Sequence, residues 1–330
     1  MSALIAQTLG ISLVALAVLL VLERRGWRGV AGLQRLALVV LLVYPALAWL
    51  PKWHVLPAVS GVAEPSAAGA PAVGAGSWWL AVWLAGVTVQ LGRLVVAVRR
   101  LDGWRSAARP LPQPEDRALA DECARALGLR RAVEVRTGDY PGGAAACGVW
   151  RPMVLLPREW NQWSTETKRA VLLHEMGHHA SRDPLWRMVS LMAAAIYWFN
   201  PLVWWLAARL QSQAEFACDA RVVGCGFRVD RYAHILCDLA TRAPATALGM
   251  ATPGGLEQRV RMLQRPRGAV APLLLGAAAA VIATCALGLA VLRPGRTVTT
   301  THDDPARPAA APYTAEELET RQSADPFPAD

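Results

Sequence analysis

The residues best equipped for chemistry lie between Val171 and Asp183, in the stretch VLLHEMGHHASRD. It contains His174-Glu175-Met176-Gly177-His178, two histidines four residues apart with a glutamate beside the first. On a helix this spacing puts both imidazoles on one face, where they can grip a single Zn²⁺, and leaves Glu175 beside the metal to take a proton from its water. HExxH is a signature of metal-dependent peptide hydrolysis. Zinc held by two imidazoles needs a third protein ligand and an open fourth position. Glu215, thirty-seven residues after His178 in the run Glu215-Phe216-Ala217-Cys218-Asp219, meets the first need. Asp219 lies one turn further on the same face, placed to accept the free ring N–H of a ligand histidine and fix its tautomer. One zinc ion per chain is expected.

Two helices must position these groups. For the first, Ser164 is a good N-cap, Ala170 to Leu173 supply an apolar body, and Asp183-Pro184 stops it. For the second, Asn200 caps and Pro201 opens a helix that carries Glu215 and Asp219 in its distal part. Ahead of them, Pro114 to Leu127 reads as a helix stopped at Gly128, Ala132 to Arg136 as a strand, and Ala146 to Pro157 as one or two strands. Behind them a helix begins at Arg231 and ends near Arg242, and Leu256 to Leu263 is a short basic helix. Tyr232, His234 and Arg221 are candidate donors to a tetrahedral oxyanion.

At 54% hydrophobic residues over 330 and a mean hydropathy of +0.27, the chain is too apolar for an ordinary soluble protein. Four membrane spans are expected at Ser2 to Leu22, Leu36 to Leu50, Ser77 to Val98 and Val270 to Leu292. The formal charge of +9 clusters as arginines beside those stretches, which points to the cytoplasmic flanks of spans and away from direct nucleic-acid binding. That places residues 101–268 inside, with the Pro51 to Gly76 loop, both termini and the acidic tail Pro294 to Asp330 outside a bacterial inner membrane. Leu185 to Leu210 is apolar but broken at Asn200-Pro201, so a hairpin at or dipping into the bilayer is expected, with two short spans as the alternative. The six cysteines imply no disulfide framework. The fold expected is thus a multi-pass α-helical membrane protein bearing an α+β zincin-type domain.

HExxH followed by ExxxD, with Trp198-Phe199-Asn200-Pro201 between them, resembles the membrane zinc peptidases of the BlaR/MecR antirepressor type, from about Gly142 to Leu263. The resemblance implies that His174, His178 and Glu215 bind zinc and that Glu175 is the general base. It also implies regulated proteolysis of a protein substrate, a small winged-helix transcriptional repressor or the chain itself. In zinc peptidases of this kind an edge strand beside the metal holds extended substrate by main-chain pairing, and Gly148, Trp150, Pro152 and Val154 are the candidates here. The beta-lactam-sensing members carry a penicillin-binding domain after the last span. Here only Pro294 to Asp330 stands in that place and no S-x-x-K motif occurs, so direct beta-lactam sensing is not expected. A membrane quality-control protease and a noncatalytic sensor or scaffold stay open, and an oligomer is compatible with the sequence.

Overall fold

The computed structural model describes residues 10, 12–20, 27–28, 30–47, 53–54, 77–139, 143–242, 253–264, 268–269 and 272–293. Among these, all but His54 and Arg293 belong to one compact unit built from Met1–Trp53 and Ala70–Leu292. The external loop and acidic tail expected from the sequence fall almost wholly outside the described residues.

Two apolar cores divide the labour. The first is made by α1 (residues 12–20), α2 (Val30–Leu47), α6 (Asp183–Ile196), α7 (Pro201–Gly224) and α10 (Pro272–Val291), with Leu19, Leu38, Leu41, Ala194 and Val203 fully buried in it. Tyr197, at the end of α6, donates from its hydroxyl to Leu41 O at 2.7 Å. The apolar stretch at Leu185 to Leu210 is therefore two helices packed against α2. Asn200 turns between them as the sequence predicts: its side chain accepts from Leu202 N, and Pro201 is the first helical residue.

The second core lies beneath the HExxH helix, α5 (Thr165–Ala180). Ser164 caps α5 by accepting from Thr167 N at 3.2 Å. Leu172, Leu173 and Met176 of α5 pack with Cys123 of α4 (Pro114–Ala126) and with Tyr232 and Ile235 of α8 (Val229–Arg242). A four-stranded sheet completes this half: β1 (Arg109–Pro110), β2 (Glu134–Gly138), β3 (Ala145–Cys147) and β4 (Met153–Pro157), in the order β1-β2-β4-β3. β4 runs parallel to β2 and antiparallel to β3. α4 is tied to α5 by a buried ion pair, Lys168 Nζ on Asp116 at 2.9 Å, and Trp160 Nε1 donates to the same carboxylate at 2.8 Å. α9 (Pro253–Gln264) closes the far side, packing on α7 and α8.

α7 runs through both cores: Val203, Leu206 and Leu210 lie in the first and Val222 in the second. At 24 residues it is about 36 Å long, so its distal half carries Glu215 and Asp219 to the HExxH helix.

α3 (Ser77–Ala107) differs from the rest, since its most apolar stretch contains no fully buried residue. Among the described residues it is the one helix long and apolar enough to cross a membrane, and residues 31–44 of α2 form a shorter apolar helix. The predicted third span runs nine residues past its expected end at Val98, through Arg99 and Arg100. α3 leans on α6: Trp83 Nε1 donates to Ile196 O at 3.0 Å, and Trp198 Nε1 donates back to Trp83 O at 3.3 Å.

Candidate metal centre

His174 and His178 sit one turn apart on α5, with side chains 10% and 14% exposed, and Glu215 of α7 faces both. Glu215 Oε2 is 3.3 Å from His174 Nε2 and Oε1 is 3.6 Å from His178 Nε2. The three residues offer donor atoms within 4.8 Å of one another. Two imidazole nitrogens and one carboxylate are a zinc donor set, and their convergence is what such an ion requires. α5 and α7 approach closely here because position 177 is glycine: a Cβ on Gly177 would lie 3.2 Å from Cys218 Sγ.

Behind each imidazole stands a carboxylate. His174 Nδ1 is 3.1 Å from Asp219 Oδ1, as the sequence anticipates. Tyr232, from α8, donates its hydroxyl to the same oxygen at 2.9 Å and lies 3.1 Å from His174 Nδ1. Arg259, from α9, grips Asp219 with two nitrogens, Nε on Oδ2 at 2.9 Å and Nη2 on Oδ1 at 2.6 Å. Its guanidinium also approaches Glu215 Oε2 at 3.3 Å and His174 Nε2 at 3.4 Å. His178 Nδ1 is 3.0 Å from Asp183 Oδ2, with Cys218 Sγ at 3.3 Å.

The electrostatics follow from this crowding. Burial and the Arg259 charge push His174 down, but Asp219 and Glu215 outweigh them and leave it raised to about 9. Burial would raise Glu215, yet the hydrogen bond and charge of His174, with Arg259, bring it down to about 2. Asp219 is likewise held far below the usual carboxylate range, its burial outweighed by Arg259 and His174. Burial pushes the Cys218 thiol up, reinforced by Asp183, so Cys218 stays a thiol.

Glu175 lies one residue beyond His174 and is buried. Its charge is felt at Cys147, the last residue of β3, whose thiol burial pushes up to about 11 with Glu175 adding to the rise. His179, the third histidine of the stretch, faces away from Glu215 and places Nε2 3.0 Å from Met153 O, fastening α5 to β4.

Several residues singled out from the sequence stand elsewhere. Gly148 to Val154 is not one strand: β3 ends at Cys147, Gly148 turns at φ +85°, and β4 begins at Met153. Val154 is fully buried in β4, which is flanked by β2 and β3. Trp150 stands 86% exposed at the hairpin tip, and Pro152 O accepts from Glu134 N. Among the described residues, the strand at the edge of the sheet on that side is Ala145–Cys147. Tyr232 stands behind His174, His234 Nδ1 sits 2.8 Å from Asp230 O on an exposed surface, and Arg221 donates to Gly177 O at 3.2 Å. Arg259 and Asp183 are the groups that sequence reading passed over. Arg259 counted only as one of several arginines ahead of a span, and Asp183 only as a helix stop.

Fold and donor set together define a peptidase-type centre. The sequence profile of the BlaR1 peptidase M56 family matches residues 47–263, more than half of the chain, and the chain belongs to that family. It is also similar to the regulatory protein BlaR1 of Bacillus licheniformis, 27% identical over 147 residues, which are 44% of this chain and 24% of that protein. The match therefore spans about a quarter of the relative's length.

Proposed function

We propose that this chain is an integral-membrane zinc endopeptidase acting in regulated proteolysis. The observation that carries it is the convergence of His174, His178 and Glu215 donor atoms within 4.8 Å, with Glu175 adjoining. His174 Nε2, His178 Nε2 and Glu215 would hold Zn²⁺, which when bound lowers the pKa of a water to about 7 and polarises the scissile carbonyl. Glu175 accepts the proton of the attacking water and returns it to the leaving amine. Asp219 accepts His174 Nδ1–H, so that Nε2 presents its lone pair toward Glu215. Extended substrate pairs with the free edge of β3, whose last residue adjoins Glu175.

Membrane integration is supported by α3, a helix long and apolar enough to cross a membrane whose most apolar stretch has no buried residue, because so large an exposed apolar face is not stable in water. The arginine pattern supports a peptidase half in the cytoplasm of a bacterium, with both termini outside. The substrate is then a cytoplasmic protein, either a winged-helix repressor or the chain itself. The test compares new protein N-termini in cells carrying wild type or Glu175→Gln, with and without cell-wall stress. One or two wild-type-only cuts, in a repressor or in this chain, are expected. Many cuts in damaged membrane proteins would make it a quality-control protease, and no difference would overturn the proteolytic reading.

A further inference from the structure

The two histidines are backed alike, but their supports come from different parts of the chain. Asp219, behind His174, is held by Arg259 and Tyr232, both within the peptidase half. Asp183, behind His178, places Oδ2 3.0 Å from Nδ1, and its other oxygen accepts from Arg35 Nη2 at 3.1 Å. Arg35 lies on α2, 148 residues away in sequence and before the first residue that the family profile matches.

The local backbone explains how Asp183 comes back beneath the ring. Arg182 adopts φ +57°, the one positive φ outside glycine among the described residues, and this left-handed residue ends α5 and turns the chain straight into α6. Arg35 grips the corner so formed. Besides Asp183 it reaches Ser181 O at 3.4 Å, and its guanidinium carbon lies 5.1 Å from the centre of the Trp186 ring. Asp183 and His178 have side chains only 12% and 14% exposed, so water does little to weaken the contact.

We propose that Asp183 is a positioning residue for His178 and that Arg35 of α2 holds its carboxylate, so that the seating of α2 sets the readiness of the metal site. This rests on the zinc reading above. An imidazole offers Nε2 to a metal only when Nδ1 carries the proton, and a carboxylate accepting that N–H fixes both tautomer and ring rotation. A carboxylate this enclosed needs a cation, and Arg35 supplies it. As the first acidic residue of α6, Asp183 also favours the helix dipole, but that role alone would leave zinc affinity unchanged.

The test uses the full chain in detergent micelles, stripped of metal and titrated with Zn²⁺ against a chromophoric chelator. Asp183→Asn, which keeps the side-chain size, is expected to weaken zinc binding about 10- to 100-fold. Arg35→Gln is expected to weaken it by about 5-fold or more, with Arg35→Lys recovering part of the loss. The double variant should bind no more weakly than Asp183→Asn, because both act through one contact. Wild-type zinc affinity in Asp183→Asn, with native helical circular dichroism, would overturn the proposal, and so would multiplying effects of the two substitutions. His174→Ala separates the two claims: if it keeps wild-type affinity, the zinc reading itself fails.

Discussion

At the residue scale, the site is a set of groups whose charges are balanced only as a set. His174 is raised to about 9 by Asp219 and Glu215, whereas a zinc ligand must be neutral. Zinc must therefore displace its proton, and apparent affinity should climb about tenfold per pH unit below about pH 9 and level off above it, from this residue alone. Isothermal titration in buffers of different ionisation enthalpy would show the released proton. In the metal-free chain the same shifts set stability. The raised His174 contributes fully below about 6.5 and is lost as pH rises through about 9, while Glu215, lowered to about 2, contributes above about 4.5 and is lost as pH falls. Thermal melts of metal-free protein should therefore peak between about pH 4.5 and 6.5. The pairing of His174 with His178 and of Glu215 with Asp219 was legible because i, i+4 spacing puts each pair on one helix face, whereas the meeting of the two faces was expected only from zinc's need for a third ligand and from the family resemblance. Arg259 was not, since nothing in sequence announces that an arginine forty residues past Asp219 will fold onto it.

At the scale of elements, two contacts decide whether the parts meet. Asp116 anchors α4 to α5 through Lys168 and Trp160, with side chains of Asp116 and Lys168 only 6% and 10% exposed. Asp116→Ala leaves a buried ammonium without its partner and should cost about 3–5 kcal/mol, read as a lower denaturation midpoint. Gly86 is where α3 meets Trp198 of the α6–α7 turn, and a Cβ there would lie 2.2 Å from the indole. Gly86→Ala should lower Tm, whereas Gly92→Ala, with open space around it, should raise Tm slightly through helix propensity. The caps Ser164 and Asn200 and the proline start of α7 were readable because capping is local chemistry. The substrate edge expected at Gly148 to Val154 was misplaced for the opposite reason. A run such as ACGVWRPMVLLP has one composition whether it forms one strand or two, and only pairing with β2 shows that Val154 is enclosed.

At the scale of the molecule, α7 is the beam on which the account rests, because one helix contributes to the core under the predicted spans and carries Glu215 to the HExxH helix. α2 and α6 reach the site by two routes of contact, through their packing on α7 and through Arg35 and Asp183. That the chain combines apolar helices with an α+β part was visible from hydropathy and charge. That the Leu185 to Leu210 hairpin packs on α2 was not, since an apolar stretch has the same sequence whether it faces lipid or another helix. The central claim is that this convergence is a zinc centre with Glu175 as its base, and one measurement addresses it directly. Metal content and cleavage of an unfolded protein substrate are compared for wild type, His174→Ala, Glu215→Ala and Glu175→Gln, each purified as the full chain. The account predicts one zinc in wild type and in Glu175→Gln, none in the two ligand variants, and cleavage in Glu175→Gln reduced by about 10²- to 10⁴-fold. Full zinc in Glu215→Ala, or undiminished cleavage by Glu175→Gln, would contradict it.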